Sequence, residues 1–225
     1  NGAACRRGCE VLGGTFDGAA WRLETSGGAI RSRAVVNCAG LYGDLVDRRL
    51  LGASSFTIRP RKGQFVVFDK AAARLATAIL LPVPTAHTKG VVVCRTAYGN
   101  LLVGPTAEDQ DSRSDASTDR ETLQRLRTKG IGMLPALAAI PVTAAYAGLR
   151  PASEIKDYRL QSYPERRYVS VGGIRSTGLS SALGLAREVQ ALLAGFGEVH
   201  RPLTDPVLPQ VGAISEAAPR AWAEA

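Results

Sequence analysis

The sequence predicts an α+β protein with a mixed, mainly antiparallel sheet, on three observations. Short apolar or alternating runs recur between Gly-rich turns, which is how strands read. One run, Ala34-Val35-Val36-Asn37-Cys38-Ala39-Gly40, is apolar on both faces, as a central parallel strand is. Helical spacing is confined to three stretches, near 42–51, 118–130 and 179–194.

In chain order, strands are expected at Cys9–Leu12, Ala20–Thr25 and Ala29–Arg31, with turns at Gly13-Gly14 and Gly27-Gly28. After the apolar strand, Leu41, Leu45, Val46 and Leu50 mark the first helix. Residues 56–69 read as two strands interrupted by Arg59-Pro60-Arg61-Lys62-Gly63. Further strands are expected at 78–81, 91–95 and 100–104, then an acidic loop over 105–117. Thr118-Asp119-Arg120-Glu121 reads as a capping box, and Leu123 and Leu126 begin the buried face of the second helix. Strands at 143–149 and 168–171 lead to the third helix, which Gly195 stops. The Pro- and Ala-rich tail is expected to fray.

With 225 residues the chain holds one large domain, or one and a half smaller ones. An apolar share of 45% argues against wholesale disorder. The net charge of +8 is scattered, with Arg59, Arg61 and Lys62 as a tight group near a strand. Scattered charge suits a solvated surface and a small anionic substrate better than a nucleic-acid stripe. Trp21 and Trp222 lack the interleaved basic residues of a base-stacking platform, so no nucleic acid is expected. Cys5, Cys9, Cys38 and Cys94 match no zinc spacing, and His87 and His200 stand far from them. No metal site is expected. The cysteines read as free, mostly buried thiols of a cytoplasmic protein. No signal peptide and no membrane-spanning run is found. The start, Asn1-Gly2-Ala3-Ala4-Cys5, reads as entry into the middle of a larger chain.

The richest stretch for chemistry is Val171-Gly172-Gly173-Ile174-Arg175-Ser176-Thr177-Gly178-Leu179, a strand end and loop running into a helix. Glycine and hydroxyl residues there let backbone approach a flat or anionic ligand, and the helix start adds positive potential. Upstream, Tyr146-Ala147-Gly148-Leu149-Arg150-Pro151 sets an arginine at the end of an apolar strand.

Five motifs in order carry a family resemblance. They are Val36-Asn37-Cys38-Ala39-Gly40-Leu41-Tyr42, Ile58-Arg59-Pro60-Arg61-Lys62-Gly63-Gln64-Phe65, Gly99-Asn100-Leu101-Leu102-Val103-Gly104-Pro105-Thr106, Ala147-Gly148-Leu149-Arg150-Pro151 and Gly173–Leu179. They resemble the D-amino-acid-oxidase-type flavoproteins, and the resemblance runs from about residue 9 to residue 195. Within these the chain is most similar to the branch of anaerobic-type glycerol-3-phosphate dehydrogenases and L-2-hydroxyglutarate oxidases. The resemblance implies FAD as cofactor and hydride transfer from a small anionic alcohol, such as glycerol 3-phosphate or L-2-hydroxyglutarate, to flavin. An amino-acid oxidase of the glycine or D-amino-acid type is the alternative, as is a partner or scaffold subunit without FAD. The implied fold is the C-terminal remnant of an FAD-binding Rossmann-like layer, residues 1–52 and 168–200, around a substrate-binding domain, 53–167, with a tail over 201–225.

By the same resemblance, Asn37, Ala39, Gly40, Gly173, Ile174, Ser176, Thr177, Gly178 and Leu179 would border the cofactor. Arg150 would hold the substrate's carboxylate or phosphate, with Arg175, Gln64 and Lys62 as further substrate contacts. No side chain is assigned a catalytic step, because hydride transfer to flavin needs orientation more than side-chain chemistry. Two departures stand out. The family's opening G-x-G-x-x-G occurs nowhere, so a missing N-terminal segment or a second chain is expected to supply it, and FAD binding by the chain alone should be weak. Gln64-Phe65 replaces the Ser-His or Glu-Tyr pairs of the resembled branch.

Overall fold

The computed structural model describes residues 2–83, 90–198 and 203–207. His87, His200, Trp222 and most of the 201–225 tail lie outside them. The first elements are β1 (Val11–Phe16), β2 (Trp21–Thr25), β3 (Gly28–Ser32), β4 (Val35–Asn37) and α1 (Gly43–Leu51). Next come β5 (Ile58–Phe68), β6 (Val92–Arg95), β7 (Leu101–Gly104), β8 (Glu108–Asp109) and α2 (Arg120–Met133). The chain continues with β9 (Val142–Ser153), β10 (Arg159–Tyr163), β11 (Tyr168–Gly172) and α3 (Gly178–Gly195). The mixed α+β class holds, with antiparallel pairing predominant and one parallel pair among the described strands.

Two compact units form. One comprises the described residues up to Pro60 and from Arg150 onward, the other the described residues of Arg61–Leu149. In the first, β1-β2-β3 is an antiparallel meander and β10-β11-β4 a second small sheet. β11 pairs with β4 in parallel, with Val169 opposite Val36 and Ser170 opposite Asn37. Val36 and Val169 are thus register partners in one sheet. β4 is also not central: it ends the sheet, with no strand on its far side among the described residues. Buried Trp21, Leu50 and Tyr168 form one core, on which Val11, Leu23 and Val46 pack. Val169, Val171 and Phe196 form another, covered by Leu185, Val189, Leu192 and Leu193 of α3.

Gly13-Gly14 is not a turn but lies within β1. A Cβ on Gly14 would stand 2.9 Å from Leu50 of α1 and 3.0 Å from the Arg22 carbonyl, so glycine there permits close packing. β10 was not foreseen. Its apolar signal is thin, and its pairing with β11 across a tight turn at Pro164–Arg166 makes it a strand.

The second unit is a sheet of order β6-β7-β5-β8, with β9 also on β5. β5 is one strand of eleven residues, not two. It runs on through Pro60; β8 pairs with residues 61–62 and β7 with 66–68. The expected strand at 78–81 reduces to a bridge between Leu80 and Val93. Phe68, Val93, Leu101, Val103, Leu126 and Leu137 fill the core. The cap of α2 is Asp119 rather than Thr118: its Oδ1 accepts the Thr122 N–H at 2.8 Å.

Candidate functional site

The site assembles in the first unit, where β4 and β11 end side by side. Beyond β11 the backbone turns through Gly173 and enters α3; beyond β4 it turns through Gly40. Between them is a cavity of about 740 Å³, lined mostly by apolar groups, including Val36, Cys38, Gly172, Ile174, Ala182 and Val189. Glycine at 172 follows from sterics, since a Cβ would lie 2.3 Å from the Phe56 ring. The strand end can sit flush on that ring only without a side chain.

The wall formed by the start of α3 is electropositive. No side chain caps its N-cap, Thr177, and no acidic residue occupies its first turn. The Thr177 hydroxyl instead donates to the Ile174 carbonyl at 2.9 Å and meets the Tyr158 hydroxyl at 2.5 Å. Contacts with the Thr177 and then the Ser181 hydroxyl hold the exposed Tyr158 phenol below its ordinary range. Arg175 lines the cavity in a left-handed conformation, φ 60°, which is uncommon for a residue with a Cβ. Its Nη2 donates to the carbonyls of Ser153 at 3.2 Å and Ile155 at 2.9 Å. Its Nε is buried without a hydrogen-bond partner.

Of the residues expected around a cofactor, Gly40, Gly173, Ile174 and Gly178 line this cavity together. Ser176, Thr177 and Leu179 stand at the head of α3 without lining it, and Leu179 is 95% exposed. Ala39 lies between the cavity-lining Cys38 and Gly40. Asn37 is buried and its amide is turned inward. Arg150 is half-buried on β9, next to Pro151 of the cavity wall.

Gln64 and Lys62 belong to the second unit. Gln64 is fully buried: its Nε2 donates to Asp119 at 2.6 Å and Glu108 at 3.2 Å, and its Oε1 accepts the Asp119 N–H at 3.0 Å. Lys62 stands 3.8 Å from the Asp115 carboxylate. Sequence reasoning passed over the inner face of α3, whose signal was the spacing of Gly178, Ala182 and Ala186. It also passed over Asp47, one of the two buried acids of α1.

None of the four cysteines is buried, against expectation; Cys5 and Cys38 are exposed, Cys9 and Cys94 half-buried. Among the described residues no cluster of His, Cys, Asp and Glu could hold a metal, and no helix is long and apolar enough to cross a membrane.

A family comparison matches residues 1–192 to DAO, the FAD dependent oxidoreductases. The chain belongs to this family of FAD-dependent oxidoreductases. It is 33% identical over 182 residues to a glycerol 3-phosphate dehydrogenase of Caloramator mitchellensis, spanning 79% of this chain and 37% of that protein. It is 31% identical over 150 residues to a glycine oxidase of Pseudomonas putida, spanning 66% of this chain and 38% of that one. The dithionite-reduced L-alpha-glycerophosphate oxidase of Mycoplasma pneumoniae, solved with FAD bound, superposes with a TM-score of 0.72 at 26% identity, covering 83% of this chain and 50% of that one. The chain thus spans half or less of these relatives' length.

The cavity fits the flavin end of the family's cofactor on its own chemistry. Its walls are apolar, an uncapped helix start faces it, and Arg175 offers a buried donor without an acceptor. The residues present contain no pyrophosphate cradle of the G-x-G-x-x-G kind.

Proposed function

We propose that this chain forms the flavin-side and substrate-side part of an FAD-dependent dehydrogenase or oxidase acting on a small anionic alcohol, with glycerol 3-phosphate ahead of L-2-hydroxyglutarate. The observation that carries the reading is the cavity that unites Gly40, Gly173, Ile174, Arg175 and Gly178 at an uncapped helix start. When bound, the flavin supplies the two-electron acceptor for the substrate's carbon-bound hydride. The chain's own part is placement and charge. Backbone N–H groups at the start of α3 stabilise negative charge at the adjoining ligand edge. Arg150 holds the substrate's anionic group by its planar fork, which selects a carboxylate or phosphate. Arg175 braces the cavity through the Ser153 and Ile155 carbonyls and keeps Nε for a polar ligand atom. Gln64 acts from within the second unit, tying β5 to the cap of α2, and Lys62 remains a candidate for anion attraction. The segment 53–167 is the substrate-binding region and 1–52 with 168–200 the FAD-binding remnant. A nucleotide-binding unit, in the same polypeptide or on a second chain, holds the pyrophosphate.

The glycine-oxidase relatives favour a second reading, oxidation of a small amino acid. Both are tested by assembling the enzyme with its nucleotide-binding unit and following flavin bleaching under anaerobic conditions. Glycerol 3-phosphate, L-2-hydroxyglutarate and glycine are added in turn. Bleaching by either alcohol supports the first reading, bleaching by glycine alone the second, and none by any of the three removes both.

A further inference from the structure

Asp47 lies on α1 with its side chain wholly buried, and the chemistry above does not use it. Four donors from three parts of the chain converge on its carboxylate. Oδ1 accepts the Asn37 amide at 2.7 Å and the Tyr168 hydroxyl at 2.8 Å. Oδ2 accepts the Ser170 hydroxyl at 2.7 Å and the Ser54 hydroxyl at 3.3 Å. Tyr168 stays a donor, because burial first, and then the neighbouring carboxylate, push its phenol far above the ordinary range. A buried acid with its partners is seldom the most stable filling of such a space; a hydrophobic residue of similar volume commonly does as well or better. What this network does deliver is orientation. Asn37 is fixed at both ends: Nδ2 also donates to the Gly43 carbonyl at 2.8 Å, and Oδ1 accepts the Ala39 N–H at 3.0 Å. The relay therefore runs from Asp47 through Asn37 to the backbone of 39 and 40, where Gly40 turns left-handed and lines the cavity.

We propose that Asp47 is a positioning residue for the cofactor cavity, locking Asn37 and through it the 37–40 turn in the arrangement that receives FAD. The inference rests on the functional reading above. It is tested on the assembled enzyme, stripped of flavin and titrated with FAD, with the dissociation constant read from flavin fluorescence and the melting midpoint of the apo-protein measured alongside. The triple variant Asp47→Val, Tyr168→Phe, Ser170→Ala removes the carboxylate together with the Tyr168 and Ser170 donors it would orphan. Asn37→Ala breaks the relay one link further on. Asp47→Asn keeps the shape and an acceptor for Asn37.

If the competent turn falls to a tenth of its population, the apparent dissociation constant rises about tenfold. That rise is expected in the triple variant and in Asn37→Ala, with the melting midpoint within a few degrees of wild type. Asp47→Asn should recover most of the affinity. Unchanged FAD affinity in both disrupting variants, beside a wild type that binds FAD, overturns the inference. So does a weakening that only tracks lost thermal stability. Should the triple variant not fold, Asn37→Ala decides by the same criterion. A wild-type assembly that takes up no FAD defeats the functional reading instead, and is told apart by that result.

Discussion

At the scale of single residues, two substitutions separate anion recognition from packing. Arg150→Lys exchanges a planar fork for a point charge. Loss of a charge-assisted contact is worth roughly 1.5–3 kcal/mol, so kcat/KM for glycerol 3-phosphate should fall by about one to two decades, mainly through KM. The flavin spectrum should not move, and steady-state kinetics on the assembled enzyme check both. Gly172→Ala would drive a methyl into the Phe56 ring, where the Cβ position is 2.3 Å from ring carbon. Overpacking of this kind costs about 1–3 kcal/mol. The urea midpoint should drop accordingly and recover in part when Phe56→Leu is added. The sequence made the glycine pair conspicuous without giving its cause, because the ring that forbids a side chain at 172 comes from 116 residues earlier in the chain.

At the scale of elements, the start of α2 links stability to pH. A hydrogen bond from Gln64, then one from the Thr122 N–H, holds the Asp119 carboxyl below its ordinary range. The folded protein therefore gives up this proton more readily than the unfolded chain. The contribution is complete above the ordinary carboxylate range and is lost as pH falls through the depressed folded value. Melting curves of wild type and Asp119→Asn should differ near neutrality and converge as acid is added; a gap that persists or widens at low pH would contradict the assignment. Gln64→Leu should remove much of the depression and leave Glu108 short of a donor. The capping signal was legible in Thr118-Asp119-Arg120-Glu121, but its register was off by one residue. The partner that selects Asp119 is Gln64, 55 positions away. Long-range partners explain the other misses too. β10 is a strand because β11 pairs with it, and β5 continues past Pro60 where β8 and β7 pair with it. α1, α2 and α3 carried their own periodicity and were read to within a few residues.

At the scale of the whole molecule, the five ordered motifs made family and cofactor legible, and the missing nucleotide fingerprint made the partial span legible. The Asp47 relay was not, since nothing in a one-dimensional pattern brings 37, 47, 168 and 170 together. A consequence for binding follows from the division of labour. The chain alone offers the flavin end a cavity but the pyrophosphate no cradle, so FAD affinity of the 225-residue chain should be weak and rise steeply on adding a nucleotide-binding unit. Equilibrium dialysis with and without that unit checks this; tight stoichiometric FAD in the chain alone would refute it.

The far side of β4 has a consequence for handling and for quality control in a cell. Among the described residues β4 has a partner on one side only, and an open strand edge offers other chains a row of backbone donors and acceptors; Val36 stands 37% exposed on it. In the same unit, Leu179 and Leu183 of α3 are 95% and 84% exposed. The chain made on its own should scatter light increasingly with concentration and call on chaperones. Val36→Lys, a charge set on that edge, should delay the scattering without altering the melting midpoint appreciably. An edge shaped to be completed is, until its complement arrives, an edge that recruits copies of itself.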